Sequence, residues 1–498
     1  MLTRNQLRIL PWACLAAALL TINAGAAQTP GSGVKVGAAQ VPGGGRTIVL
    51  KSASGEVLPF PPGARFFTPP SGRTTKPGFA HTNVVAGIPP KGGFPKAVRP
   101  LVVGPPFAGY LAETPASIAC VYRLVAVASG CEPNTVTTNT SGGSRAIAIV
   151  DAFDNPNAAT DLAAFDAQFG VTPATFTVIF GTGVPSAGCT NGVQPPDSTG
   201  TGWDIEASLD IEMANAIAPG AHIYLVEANS DSLTDLLNAV AVATKCVQLA
   251  GSGVVSMSWG LPEFSGETVN DSTFTGANVV YFAAAGNNPG VLYPAASPNV
   301  IGVGGTTISR NQTTGAFQSE AVWNNSTADV VMSGSTQSLG TGGGPSVFEP
   351  IPTYQNVIAS IVGTQRGTPD MALVADPANG VWVYNTSSFG GFAFAGGTGA
   401  ATALAAAIVN RSGFVWATSF NALKNIYNLP AKGTLTTYFT NVSSGLCGPG
   451  GVNFFPAPVG TTAFPNSLGE GYDPSYTLSS TLIPWNMCTG WGSLHGSH

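Results

Sequence analysis

Two rhythms of apolar residues run along the chain. Short apolar runs at 145–150, 223–226, 254–258, 279–282 and 300–303 predict strands. Between several of them lie stretches with helical spacing, at 158–169, where Leu162, Phe165 and Phe169 recur, and at 204–217 and 232–247. Strands alternating with helices predict an α/β fold, a parallel sheet with helices on both faces, forming one large domain over residues 111–498. Ligands of such sheets sit where the strands' carboxyl ends meet their loops. The polar motifs fall there: Asp151 after the first strand, Ser258-Trp259-Gly260 after the third and Gly286-Asn287 after the fourth.

The pattern breaks before residue 111. Arg4 and Arg8 precede an apolar run from Ile9 to Ile22, followed by the small residues of Ala24-Gly25-Ala26-Ala27. This is the order of a secretory signal, expected over residues 1–27, with cleavage near Ala26 or Ala27. The run is shorter than the roughly 20 residues that span a bilayer, and no later segment is long and apolar enough to span. Residues 28–110 hold 14 of the 39 Pro and are expected to form an extended or disordered leader without a packed core.

Composition sharpens this division. Only 9 % of the 498 residues are charged, against 44 % hydrophobic; a globular average is about 25 % charged. A nucleic-acid binder or coiled coil is excluded, and the apolar fraction supplies a large core. Residues 28–110 carry nine Lys or Arg against the single acid Glu56, while the whole chain has a net charge of −6. A basic arm therefore precedes an acidic body, either docked on it electrostatically or solvated as a linker. Six cysteines follow the signal, and their clustering favours the pairs Cys120 with Cys131, Cys189 with Cys246 and Cys447 with Cys488 out of fifteen possible pairings. Four scattered His and no CxxC argue against a zinc site.

The most informative stretch is the helix at 204–217. At about 100° per residue, Glu206 and Asp210 fall on the apolar arc of Ile205, Leu209, Met213 and Ile217. Asp204, Ser208 and Asn215 fall on the opposite side, where solvated groups belong. Two acids one turn apart on a buried face require a raised pKa on at least one of them, which is equipment for acid/base chemistry. A Ser-His-Asp triad does not suggest itself, because His81 lies in the arm, His222 in an apolar strand and the other two at the terminus. Asn287, at a strand end, is suited to donating a hydrogen bond to a developing oxyanion.

At this point the residues resemble a family. Glu206-xxx-Asp210 with Ala218-Pro219-Gly220, Ser256-Met-Ser-Trp-Gly260, Tyr293-Pro-Ala-Ala-Ser297, Val303-Gly-Gly-Thr-Thr307, Pro369-Asp370 with Ala375-Asp376-Pro377, and Gly396-Gly-Thr398 look like a sedolisin, one of the serine-carboxyl peptidases with a subtilisin-like fold, over roughly residues 112–493. The resemblance implies that Glu206 is the general base for a Ser nucleophile and that Asp210 orients it. It places the oxyanion-site residue at Asn287, where the family has Asp and subtilisins have Asn. It places the nucleophile at Gly399 of Gly397-Thr398-Gly399, where no side chain exists to attack a carbonyl. Thr398 is adjacent, but one residue of displacement on a helix turns its side chain about 100° away.

Further departures follow from the same resemblance. The family's two calcium-binding Asp fall on Asn441 and Asn486, with Val442 able to give a carbonyl, so calcium binding is expected to be weak or absent. Gly469-Glu-Gly471-Tyr-Asp473 also resembles part of that site. A folded prodomain is usual in the family, whereas here only the basic arm precedes the body.

The expectation is a secreted sedolisin-like protein, a monomer with a peptide or unfolded protein as its partner. It keeps a peptide-binding cleft, with Ser258, Trp259 and Gly260 as an edge for an extended peptide, but has lost its nucleophile. The alternative is an endopeptidase of acid pH that uses Glu206 and Asp210 with water or another hydroxyl.

Overall fold

The run Ala146–Ala152 is buried along its whole length, as a strand covered on both faces must be. In the computed structural model, which describes residues 65–73, 76–88, 104–106, 110–183, 188–324, 339–445, 447 and 484–496 together with a few short strands outside them, it is the third of twelve strands that matter here. We label them β1 His81–Thr82, β2 Val85–Ile88, β3 Ala146–Ala152, β4 Thr175–Phe180, β5 His222–Ala228, β6 Gly253–Met257, β7 Trp259–Pro262, β8 Val279–Ala284, β9 Ile301–Arg310, β10 Met371–Val374, β11 Val381–Asn385 and β12 Gly391–Gly396. The helices are α1 Pro115–Val121, α2 Ala158–Phe169, α3 Trp203–Ile217, α4 Leu233–Leu249 and α5 Thr398–Arg411. The expected signal at residues 1–27 lies outside the described residues. Among the described residues no helix is long and apolar enough to cross a membrane.

The main sheet runs β4-β5-β3-β6-β8-β9-β10, with every one of these pairs parallel. Alternate residues face opposite layers, which the core residues display directly. Ile147 and Ile149 of β3 join Leu209, Met213, Leu404 and Ile408 of α3 and α5 in one cluster. Ala146, Ala148 and Val150 join Leu236, Val240 and Val247 of α4 in the other. The strand order reverses at β3, so the carboxyl ends of β3 and β6 flank a crevice at the switch point. Three disulfides, Cys120–Cys131, Cys189–Cys246 and Cys447–Cys488, join the cysteines that cluster in sequence.

Two expectations are corrected. The first is the solvated face of α3, since Asp204, Ser208 and Asn215 are fully buried like the rest of the helix. A second layer, made of α2 and the β11–β12 hairpin, covers that face and supplies polar partners. Asn155 and Asn385 each donate to Ser208 Oγ and to the Asp204 carbonyl, and Asn215 donates to Asp166 Oδ1 at 2.6 Å.

The second correction concerns the arm. Within the segment expected to lack a core, Ala80, Val84, Val85 and Ala86 are completely buried. Strand β1 pairs antiparallel with β7, Thr82 opposite Trp259 and His81 opposite Gly260, and β2 pairs antiparallel with β12, Val85 opposite Gly396. Residues 78–88 form a Pro-free stretch between Pro77 and Pro89, which leaves every backbone N–H available for a ladder. The contact is made by backbone pairing and apolar burial, and Lys76 of the arm adds a favourable charge interaction with Asp231 of the body.

Replacing Val85 with Asp is expected to destabilise the whole domain by about 3 kcal/mol or more, because it buries an unpaired carboxylate. The same change at Val127, which is 60 % exposed, is expected to stay within about 0.5 kcal/mol. Urea unfolding of both variants checks this; equal, small effects would mean that the arm is not part of the fold.

Candidate functional site

Helix α3 starts at Trp203 after Gly202, whose left-handed backbone turns the chain into the first turn. Its axis carries Glu206 and Asp210 to the crevice, one turn apart and on the same side. Both are completely buried, and neither carboxylate has a hydrogen-bond partner at ordinary length among the described residues. Asp151, the penultimate residue of β3, is the third member of the group, also completely buried and without a partner for either oxygen. The sequence reading marked Asp151 only as a polar residue at a strand end; its approach to α3 depends on the tertiary fold.

Burial dominates the electrostatics of the three. Glu206 is pushed well above the usual carboxylate range by loss of water and then by Asp210 and Asp151, with the nearby amides of Asn83 and Val84 acting in the other direction. Asp210 is also pushed well up, first by burial and then by Asp151, with the Ser258 hydroxyl opposing. Burial raises Asp151 to about 8. The group therefore holds protons at neutral pH, as carboxyls confined together without a cation must.

The sequence-predicted residues converge around the first turn of α5. Ser258 Oγ donates to the Gly399 carbonyl at 3.2 Å. Asn287 Oδ1 accepts from the Thr398 N–H at 2.8 Å and from its hydroxyl at 3.1 Å, which turns Nδ2 away from Thr398. The Thr398 hydroxyl also accepts from the Gly286 N–H, so it is committed to holding the Asn287 loop. Trp259 is completely buried, its indole N–H donating to the Val150 carbonyl at 2.9 Å.

Gly399 lies among these groups. A Cβ built on it would run into Glu206 Oε1 and lie 3.2 Å from Ser258 Cβ. The Glu206 carboxyl thus occupies the space in which a side chain at 399 would begin. Gly399 has no left-handed backbone to protect, and the obstacle is the mobile end of a side chain.

The edge that was expected to receive a peptide is paired with the chain's own arm. Asn83 donates its backbone N–H to the Ser258 carbonyl at 3.0 Å. Its carbonyl accepts the Gly399 N–H at 3.2 Å, at the positive end of α5. The same carbonyl oxygen and Asn287 Nδ2 both crowd the α-face of Gly397, where a Cβ would meet each of them, Nδ2 at 2.9 Å, and the backbone there is left-handed at φ +99°. Residues 81–83 thus lie as an extended peptide on β7. The Asn83–Val84 peptide bond crosses the head of α5 before the chain continues as β2.

The residues expected at a metal site lie elsewhere, beside the amino end of β10. Asn486 donates to the Val442 carbonyl at 3.1 Å, while Asn441 is exposed. His222 is half-buried, with Nε2 2.8 Å from Thr177 Oγ1 and its ring stacked on Tyr224, which is a structural role.

Comparisons with known proteins agree with this architecture. Residues 195–413 match the subtilase family. The chain is 36 % identical to kumamolisin of Bacillus sp. (strain MN-32) over 276 residues, 51 % of this chain and 46 % of that protein. It is 26 % identical to sedolisin of Pseudomonas sp. (strain 101) over 333 residues, 62 % of this chain and 50 % of that protein. The chain spans about half the length of these curated relatives. Among solved structures, Pseudomonas sedolisin, a serine-carboxyl proteinase complexed with two molecules of pseudo-iodotyrostatin, superposes with a TM-score of 0.53 at 21 % identity, covering 77 % of this chain and 95 % of that one.

The raised carboxyls have a consequence for stability. An unfolded Asp or Glu releases its proton near pH ~4, whereas the buried group holds on to it, with Asp151 titrating at about 8. Between these values the folded chain binds more protons than the unfolded one, so stability falls as pH rises. The melting temperature is expected to be highest near pH ~4 and to drop toward pH ~8, with Asp151→Asn flattening the fall by an amount on the order of a few kcal/mol. Calorimetry across this range checks it, and a melting temperature that climbs with pH would contradict it. Residues 195–413 match the subtilase family, and the described residues have a subtilisin-like α/β fold, with kumamolisin and sedolisin among the proteins the chain is similar to.

Proposed function

We propose that this protein is a secreted sedolisin-like pseudopeptidase whose cleft is held closed by its own residues 81–88. The observation that carries the reading is the Asn83 carbonyl, fixed by the Gly399 N–H beside Asn287, over a residue that has no side chain. A peptidase of this type positions a substrate carbonyl at backbone and side-chain donors while a hydroxyl attacks it. Here donors, carbonyl and carboxyls are assembled, and the attacking atom is missing. Missing a nucleophile leaves at most a small residual rate from the donors and binding alone.

This reading changes the role of the peptide-binding edge. Backbone pairing along β7 is the mode by which an extended peptide adds to a sheet, and β1 already uses it. A peptide or unfolded protein reaches the edge only by displacing residues 81–83. The second reading, an acid-pH endopeptidase that activates water with Glu206 and Asp210, draws on the proton-holding carboxyl group. It requires the same displacement.

The test restores the missing atom. In Gly399→Ser the Glu206 carboxyl is expected to rotate aside and accept from the new hydroxyl. The Asn83 carbonyl is held at the Gly399 N–H, so the variant is expected to cut its own Asn83–Val84 bond once Glu206 gives up its proton, read by intact mass across pH 3 to 8. Adding Glu206→Gln is expected to abolish the cut, and the unaltered chain is expected to stay whole and to hydrolyse denatured protein at least ~10³-fold more slowly than the serine variant. Hydrolysis by the unaltered chain that Glu206→Gln removes would establish the second reading instead. A folded serine variant that neither cuts itself nor hydrolyses protein would overturn the proposal that the remaining site is intact.

A further inference from the structure

The resemblance to sedolisins implies a calcium ion held by two Asp, at positions 441 and 486 here, and by neighbouring carbonyls such as Val442. The donor set around Val442 does not fit one. Calcium takes six to eight oxygen ligands and favours carboxylates. At 486 the residue is Asn, almost completely buried, and its amide has only one sensible orientation. Oδ1 accepts the backbone N–H groups of Cys488 and Thr489, each at 2.9 Å. Turning the amide over would set NH₂ against two N–H donors. Nδ2 therefore faces the other way, donating to the Val442 carbonyl at 3.1 Å and to Thr489 Oγ1 at 2.9 Å. The Thr489 hydroxyl lies 3.0 Å from the same Val442 carbonyl and 3.1 Å from Asn486 Oδ1, with one proton to give.

We infer that the loop joining Val442 and Asn486 needs no calcium, because the Asn486 amide supplies, through covalently attached protons, the positive end that a cation would present to the Val442 carbonyl. The Val442 carbonyl that a cation would take as a ligand already accepts from Nδ2, and the Thr489 hydroxyl sits beside it. A cation approaching Val442 would meet the Nδ2 protons first. The arrangement is closed in other directions as well. Asn486 and Gly490 exchange two backbone hydrogen bonds, at 3.0 and 2.8 Å, and Cys488 is tied by its disulfide to Cys447. Trp485, Met487 and Thr489 are buried around the loop.

The inference makes a paired prediction for single-atom chemistry. Asn486→Asp keeps the shape and the two accepted N–H bonds but replaces the Nδ2 donor with an oxygen facing a carbonyl oxygen. Without a cation those two oxygens repel, and with one they share it. The variant Asn441→Asp plus Asn486→Asp restores both carboxylates.

The experiment is thermal unfolding of the full chain, the single variant and the double variant, each in EDTA and in millimolar calcium chloride. The unaltered chain is expected to melt at one temperature in both. The single and double variants are expected to melt lower in EDTA and to regain the loss in calcium, the double variant more fully. A melting temperature of the unaltered chain that falls in EDTA and returns with calcium would overturn the inference, and this arm does not depend on the variants folding. Variants that melt like the unaltered chain and ignore calcium would overturn the role given to Nδ2. Isothermal titration with calcium chloride gives the same answer without unfolding, with heat of binding expected only in the variants.

Discussion

Four carboxyls lie on a helix that has no exposed side, and the architecture around α3 answers that constraint. A buried carboxyl must be hydrogen-bonded, neutralised or protonated. Asp204 is answered by the Ser388 hydroxyl and Glu212 by the Tyr384 backbone N–H, both from the layer that covers the helix. Glu206 and Asp210, on the side that faces the crevice, have no such answer and keep protons together with Asp151. The same helix thus has a hydrogen-bonded polar face and one whose carboxyls lack such partners. The difference lies in what its neighbours offer.

The arm completes this picture. Its backbone supplies the amides of Asn83 and Val84 near Glu206, and its Asn83 carbonyl engages the N–H of Gly399. Were the crevice open, the carboxyl trio would meet water and lose part of the desolvation that holds its protons. Closure by β1 and β2, the raised carboxyls and a glycine at 399 are therefore mutually consistent features of one site. The region around Val442 is likewise answered from within the chain, its carbonyl accepting from the neutral Asn486 amide.

Much of this was legible in the sequence. The continuous apolar runs at β3, β5, β6 and β8 are strands buried on both faces, and such runs are readable because no polar alternation interrupts them. The apolar arc marked Glu206 and Asp210, which the fold buries together with Asp151, and Glu206 lies against Gly399 of the motif that the sequence also marked. Other parts were hidden. The burial of Asp204 and Ser208 depends on a covering layer some 180 residues away in sequence at Asn385 and Ser388, and Asn215 finds Asp166 on α2. No helical periodicity records such a partner. The arm was obscured by its many prolines, which dominate composition over 28–110, while the strands that pair with the body lie within one Pro-free stretch at 78–88.

The central claim is that residues 81–83 occupy the crevice as a paired strand, which amide hydrogen exchange of the unaltered chain tests directly. The N–H groups of Asn83 and Gly399, bonded to the Ser258 and Asn83 carbonyls, should exchange as slowly as those in the middle of β3 and β6, because both open only with the fold. Exchange of these two amides at the rate of an unstructured segment, with β3 and β6 still protected, would show that the crevice stands open and contradict the account.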